Sequence, residues 1–197
     1  MEIEVNHVLD AKGLACPMPI VKAKKAIDGL EPGQVIEVQA TDKGSKADMQ
    51  AWARSTGHQY LGTSEEGEIL KHYLRKVKPE EEKEQRNFPY TADLEELQRK
   101  MTDDQKITIL DVREPAEYAF EHIPGALSVP LGKLDKHISE INQEDEIYVI
   151  CRTGNRSDFA AQRLTEHGFK NVKNVIPGMI EWEGPVQKQE SHNGDSE

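Results

Sequence analysis

Residues 78–89 read KPEEEKEQRNFP, with one large apolar residue, Phe88, and a proline near each end. Such a stretch has almost nothing to bury, while a complete hydrophobic pattern lies on each side of it. The chain is therefore expected to fold as two modules, 1–77 and 90–185, joined by an acidic linker at 78–89. A coil of about twelve residues has a reach of roughly 20 Å. In the tail 186–197, the stretch QKQESHNGDSE that follows Val186 has nothing to bury, and the tail is expected to be disordered. Over the 197 residues, 25 Lys plus Arg face 36 Asp plus Glu, a formal net charge of −11. That balance argues against direct nucleic-acid binding and against an anionic membrane surface, since both need a basic face. No apolar run approaches the ~20 residues of a membrane span. The opening MEIEVNHVLDAKG has no basic n-region leading into an apolar stretch, so no secretory signal is expected and the expected location is cytoplasmic.

The first module begins with an alternating stretch from Ile3 to Leu9, read as a strand. Apolar residues at 20, 23, 26, 27 and 30 then mark one helical face. Pro17 and Pro19 suit its first turn, where backbone amides have no intrahelical partner. Gln34–Ala40 alternates as a second strand, 46–55 is helical, and two strands over 59–64 and 69–77 meet at Glu65-Glu66-Gly67. The order βαβαββ calls for a two-layer sandwich, a sheet covered by two helices. In the second module, strands at 107–112, 126–129, 147–150 and 172–176 alternate with helices at 93–100, 115–120, 131–141 and 157–168. Ile147–Ile150 is almost continuously apolar, as for a strand buried on both faces. This is an α/β domain with a mostly parallel central sheet, and ligands in such folds sit at the carboxyl ends of strands.

Two cysteines stand 135 positions apart, which makes neither a disulfide framework nor a metal cluster. The seven histidines do not share metal-site spacing with them. No metal and no organic cofactor is expected. Cys151 follows the apolar strand directly and is followed by Arg152-Thr153-Gly154-Asn155-Arg156-Ser157 and a helix. Gly154 can take the positive φ that a tight loop needs. Amides of the turn and of the helix N-terminus should converge on the thiol, and two arginines should favour its thiolate and hold anions over it. Cys16 precedes a helix whose prolines stiffen the first turn, and the helix terminus should favour a thiolate there too.

The segment CRTGNRS, with DVREPAEYAFEHIPGALSVP upstream and GFKNVKNVIPGMIEWEG downstream, resembles a single-domain rhodanese over about residues 90–185. The resemblance implies that Cys151 accepts a sulfane sulfur and becomes a persulfide. It implies that Arg152, Thr153, Gly154, Asn155, Arg156 and Ser157 form the substrate-binding loop, with Arg152 and Arg156 binding an anionic donor such as thiosulfate or a low-molecular-weight persulfide. Asp111 and Arg113, in the DVRE element, are read as supports of that loop. Glu114 and Glu117 are read as capping and solvating a short helix, and His122 as structural and not a general base. A phosphatase cradle of similar type needs five residues between Cys and Arg; four separate Cys151 from Arg156, a loop better sized for sulfur than for a phosphoryl group.

The segment LDAKGLACPMP (9–19), with Thr41-Asp42 after the second strand, resembles the TusA (SirA-like) sulfur-carrier family over about residues 5–77. The chain departs from that pattern at Lys43-Gly44-Ser45, where a proline is common. The resemblance implies that Cys16 carries a persulfide and that Asp10, Gly13, Pro17 and Pro19 shape its loop. Together the two modules imply a sulfurtransferase relay: donor to Cys151, Cys151 to Cys16, Cys16 to an acceptor thiol or sulfur-acceptor protein. Fusion raises the effective concentration of one thiol at the other. An alternative is a non-enzymatic thiol sensor that switches through a Cys16–Cys151 disulfide. Delivery toward tRNA thiolation would run through another protein, given the acidic composition. The pattern sets no oligomeric state.

Overall fold

A computed structural model describes residues 3–77, 86–103 and 106–189. Most of the expected linker, 78–85, and of the tail, 190–197, lies outside the described residues. The chain divides into two compact units, Met1–Glu80 and Glu81–Glu197.

The first unit runs β1 (His7–Asp10), α1 (Met18–Asp28), β2 (Val35–Ala40), α2 (Ser45–Thr56), β3 (Gln59–Glu66) and β4 (Ile69–Arg75). The sheet order is β1-β2-β4-β3, with β1 parallel to β2 and the other pairs antiparallel. This is the βαβαββ pattern read from the sequence. The first strand is shorter than the alternation predicts: Ile3 is buried but lies outside it, and pairing with β2 spans only His7–Asp10. Ala23 and Ile27 of α1, Met49 and Ala53 of α2, Ile36 and Val38 of β2 and Leu74 of β4 form one core. Both helices therefore sit on the same side of the sheet. Gly57 ends α2 in a left-handed conformation (φ 74°), which glycine adopts without a Cβ clash.

A polar cluster lies within this unit. His72 of β4 is fully buried. Its Nε2 meets Ser45 Oγ at 2.8 Å, and its Nδ1 meets Thr63 Oγ1 at 2.9 Å and Tyr60 Oη at 3.2 Å. Burial, and then the charge of Lys46, pushes its pKa down to about 4. The folded chain thus refuses a proton that the unfolded chain binds near 6.5. Stability is complete above the unfolded value and is lost as pH falls from about 6.5 toward about 4. Urea midpoints of the full chain should drop between pH 7 and pH 5, more steeply than in His72→Asn. Equal slopes in the two proteins would show that His72 does not titrate with unfolding.

The second unit runs β5 (Thr91–Ala92), α3 (Leu94–Thr102), β6 (Ile107–Asp111), α4 (Pro115–Phe120), β7 (Leu127–Ser128), α5 (Leu134–His137), β8 (Glu146–Ile150), α6 (Asn155–Glu166) and β9 (Val172–Val175). All strand pairs are parallel, in the order β5-β9-β8-β6-β7. β8 is central and buried on both faces. Ile147 and Val149 point into one core with Ala160, Ala161 and Leu164 of α6. Tyr148 and Ile150 point into the other with Leu97 of α3, Ile109 and Trp182. The helix expected over 131–141 is broken into a 3-10 turn (Leu131–Lys133), α5 and a second 3-10 turn (Ile138–Glu140). Gly132, a weak helix former, lies in its first turn.

Both ends of this unit pack further than hydrophobicity alone indicates. Phe88 is buried in the same core as Cys151, and its amide and that of Asn87 donate to Asp158 Oδ1 at 2.8 and 3.0 Å. At the other end Gln187 pairs antiparallel with His122, and the Gln189 amide donates to the Ala119 carbonyl at 3.0 Å. Backbone pairing, which needs no apolar side chain, holds this part of the expected tail.

Candidate functional site

In the second unit the chemistry sits where β8 ends. Cys151 is fully buried. Gly154, with φ 87°, turns the chain so that its amide donates to Cys151 Sγ at 3.2 Å and α6 begins at the next residue. A side chain at Gly154 would be strained by that φ and would meet Ile176 Cγ2 at 2.8 Å. Ser157 Oγ lies 3.3 Å from the sulfur and 2.6 Å from Asn174 Oδ1. One hydroxyl proton can serve only one of these acceptors at a time. Asn174 Nδ2 in turn donates to the Gly154 carbonyl at 3.0 Å, tying the loop to β9. The loop's outer side is held by Met179 and Ile180, whose amides donate to the Cys151 and Arg152 carbonyls at 2.8 and 3.0 Å. Gly178 permits this approach: a Cβ there would lie 2.5 Å from the Cys151 oxygen.

The arginines differ from each other. Arg152 is partly exposed, as are Thr153 and Asn155 beside it. Arg156 is committed: its Nη1 and Nη2 donate to Glu117 Oε2 and Oε1 at 2.7 and 3.1 Å, and the Glu117 side chain is 0% exposed. Burial works against the charge of Arg156, but Glu117, and after it Cys151, raises its pKa. The expectation that Glu117 solvates a short helix is therefore corrected. It does cap α4, taking the Glu114 amide at 3.0 Å, but its carboxylate is buried against Arg156. Asp111 and Arg113 form a buried pair, with Arg113 Nη2 donating to Asp111 Oδ2 and to the Glu121 carbonyl, each at 2.6 Å. His122 is stacked on Tyr118 (3.7 Å between ring centres), with Nδ1 2.7 Å from the Tyr118 carbonyl and Nε2 3.0 Å from Gln187 Nε2. Both ring nitrogens are engaged within the fold.

In the first unit Cys16 is exposed, two residues before α1. Pro17 caps that helix and Pro19 lies in its first turn, buried. Gly13 (φ 73°) donates its amide to Thr41 Oγ1 at 2.9 Å, joining the Cys16 loop to the turn between β2 and α2. Asp10 accepts from the Lys12 amide at 2.9 Å, which stiffens the start of the loop and holds its carboxyl below the usual range. The thiol itself donates to Asp48 Oδ2, in the first turn of α2, at 2.8 Å. That hydrogen bond, then burial, then the charges of Asp48 and Asp42, push the Cys16 pKa up. The expectation that the helix terminus favours a thiolate is corrected: a full carboxylate charge in contact outweighs the roughly half charge of a helix end.

Asp48, Asn174 and Asp158 were not marked by the sequence reading, and Glu117 was marked only as capping and solvating a short helix. Each is a polar residue in a predicted element, and the partner described above is a side chain 17 or more positions away or is backbone. Among the described residues no three His, Cys, Asp or Glu side chains are placed to hold a metal ion, and no helix is long and apolar enough to cross a membrane.

A buried thiol cradled at the end of a parallel strand defines the second unit as a rhodanese-type sulfurtransferase domain. Known proteins agree. The family model for sulfurtransferase TusA matches residues 7–76, and that for the rhodanese-like domain matches residues 93–185. YrkF of Bacillus subtilis (strain 168), provisionally named as a sulfur carrier protein, is 52% identical over 94% of this chain and 100% of its own length. The sulfur carrier protein TusA of Allochromatium vinosum is 45% identical over 32% of this chain and 84% of its own. A sulfurtransferase of the same organism is 34% identical over 46% of this chain and 84% of its own. The chain belongs to the family in which a TusA-type sulfur-carrier module is followed by a rhodanese-like domain, and it is a sulfurtransferase. Nothing in these likenesses favours a thiol sensor.

Proposed function

We propose that the protein takes sulfane sulfur from thiosulfate or a low-molecular-weight persulfide onto Cys151, and relays it as a persulfide to Cys16 for delivery to an acceptor thiol or protein in the cytoplasm. The carrier module is 1–77 and the donor-binding module 90–185, on either side of the 78–89 segment. The observation that carries the reading is the contrast between the two thiols. Cys151 is enclosed, with an amide and a hydroxyl at 3.2 and 3.3 Å to hold developing charge. Cys16 is exposed, paired with a carboxylate, and suited to meeting another protein. In this reading the loop Arg152–Ser157 binds the donor, with Thr153 and Asn155 at its rim. Asp111 and Arg113 fix the strand end beside it. Asp10, Gly13, Pro17 and Pro19 hold the carrier loop.

The test is intact-mass analysis after brief exposure to limiting thiosulfate. Cys16→Ser should still gain one sulfur atom at Cys151, and Cys151→Ser should gain none. Mixing loaded Cys16→Ser with Cys151→Ser should move the sulfur to Cys16, with a rate that rises with the donor chain's concentration if transfer between chains is competent. Loading of Cys16 at the wild-type rate in Cys151→Ser alone would end the relay and leave two independent thiols.

A further inference from the structure

We propose that Asp48 is a catalytic residue of the carrier module: it takes the proton from Cys16 as the thiol attacks an incoming persulfide, and passes it to the transferred sulfur. This rests on the reading of Cys16 as a persulfide carrier.

Cys16 and Asp48 come from different elements, 32 positions apart, yet the thiol donates to Oδ2 at 2.8 Å. The approach is built. The Gly13–Thr41 hydrogen bond holds the Cys16 loop against the segment leading into α2, and Asp48 stands in that helix's first turn, half-buried. Placing a carboxylate there is costly for a simple nucleophile, because it disfavours the thiolate. Asp42 adds a second negative charge nearby.

The arrangement makes sense when the whole reaction is balanced. A persulfide is more acidic than a thiol, so the donor arrives as R–S–S⁻. A thiolate would meet an anion, and its target sulfur would already carry negative charge. The productive pair holds one proton: R–S–S⁻ plus Cys16–SH gives R–S⁻ plus Cys16–S–SH. A lone pair of Cys16 Sγ forms the new S–S bond. The donor's S–S bond breaks with its electron pair going to the inner sulfur, which leaves as a thiolate. The Cys16 proton moves to Asp48 Oδ2 and from there to the donor's outer sulfur no later than the new bond forms, so that the sulfur under attack is R–S–SH and not a second anion. Asp48 ends as it began, and no external oxidant or reductant takes part.

The experiment uses the full chain with Cys151→Ser, so that Cys16 is the only thiol, carrying Asp48, Asp48→Asn or Asp48→Glu. The donor is a separate Cys16→Ser chain preloaded at Cys151. Two rates are read at pH 7: alkylation of Cys16 by iodoacetamide, and appearance of one sulfur on Cys16 by intact mass. Asp48→Asn should speed alkylation by roughly threefold or more, since alkylation needs only thiolate. It should slow sulfur acceptance by at least about tenfold, because a positioned proton carrier is gone. Asp48→Glu should recover most of the acceptance rate. If Asp48→Asn speeds both rates, or changes neither, Asp48 is only a neighbouring charge and the proposal fails. If the chain with Asp48 intact is alkylated but accepts no sulfur, the carrier reading itself falls and the proposal with it.

Discussion

Cys151→Ser should abolish sulfane-sulfur turnover, with thiocyanate release from thiosulfate and cyanide falling at least about a thousandfold. A serine hydroxyl fits the same cradle but is a far weaker nucleophile, and no adjacent base takes its proton. Ser157, the hydroxyl beside the sulfur, and His122, the histidine weighed as a base, are both engaged within the fold. Ser157 bonds Asn174 at 2.6 Å, and His122 has both nitrogens engaged by Tyr118 and Gln187. The fold should survive. The Cys151 carbonyl still accepts from the Met179 amide, and Ser157 and the Gly154 amide give the new hydroxyl hydrogen-bond partners. Melting temperature should therefore change little while activity disappears. Retention of more than about a tenth of wild-type turnover by the folded variant would remove Cys151 from the chemistry. Cys16→Ser, by contrast, should keep turnover with a small acceptor such as cyanide, because the relay is bypassed.

What the sequence made legible was local. The run Ile147–Ile150 implied a strand buried on both faces, and it packs into two cores. Cys151, Gly154 and the helix after them implied the cradle, because a turn of that kind is built from neighbours along the chain. Pro17 and Pro19 fixed the start of α1 for the same reason. What stayed hidden was pairing across long separations. A single sequence with 36 acidic residues gives no sign that Asp48 meets Cys16, or that Glu117 meets Arg156 across 39 positions. The helix-terminus argument for Cys16 failed on this ground: the local term was read correctly and a distant carboxylate reversed it. Phe88 misled in a similar way. One aromatic in a charged stretch looked like linker, but Asp158, itself fully buried in the first turn of α6, takes the backbone amides that let it enter the core.

The Arg156–Glu117 pair gives the second large effect. Arg156→Ala should weaken donor use more than Arg152→Ala, and it should also destabilise the second unit, which Arg152→Ala should not. Truncating one partner of a buried pair typically costs about 3–5 kcal/mol, because the other charge stays buried without compensation. Here the stranded group would be Glu117, 0% exposed and also holding the cap of α4 through the Glu114 amide. For a domain of this size that corresponds to a melting temperature lower by more than about 10 °C. Loss of activity in Arg156→Ala alone would thus mix two causes: a missing cation beside the sulfur and a loosened helix start. A paired replacement separates them. Arg156→Met with Glu117→Leu removes both charges, and well-packed apolar residues often match or exceed a buried ion pair in stability. If Arg156 binds the anionic donor, the double variant should regain most of its melting temperature while kcat/KM for thiosulfate stays at least about tenfold low. Recovery of kcat/KM along with stability would make Arg156 only a brace for the loop and leave donor binding to Arg152 and the Gly154 amide.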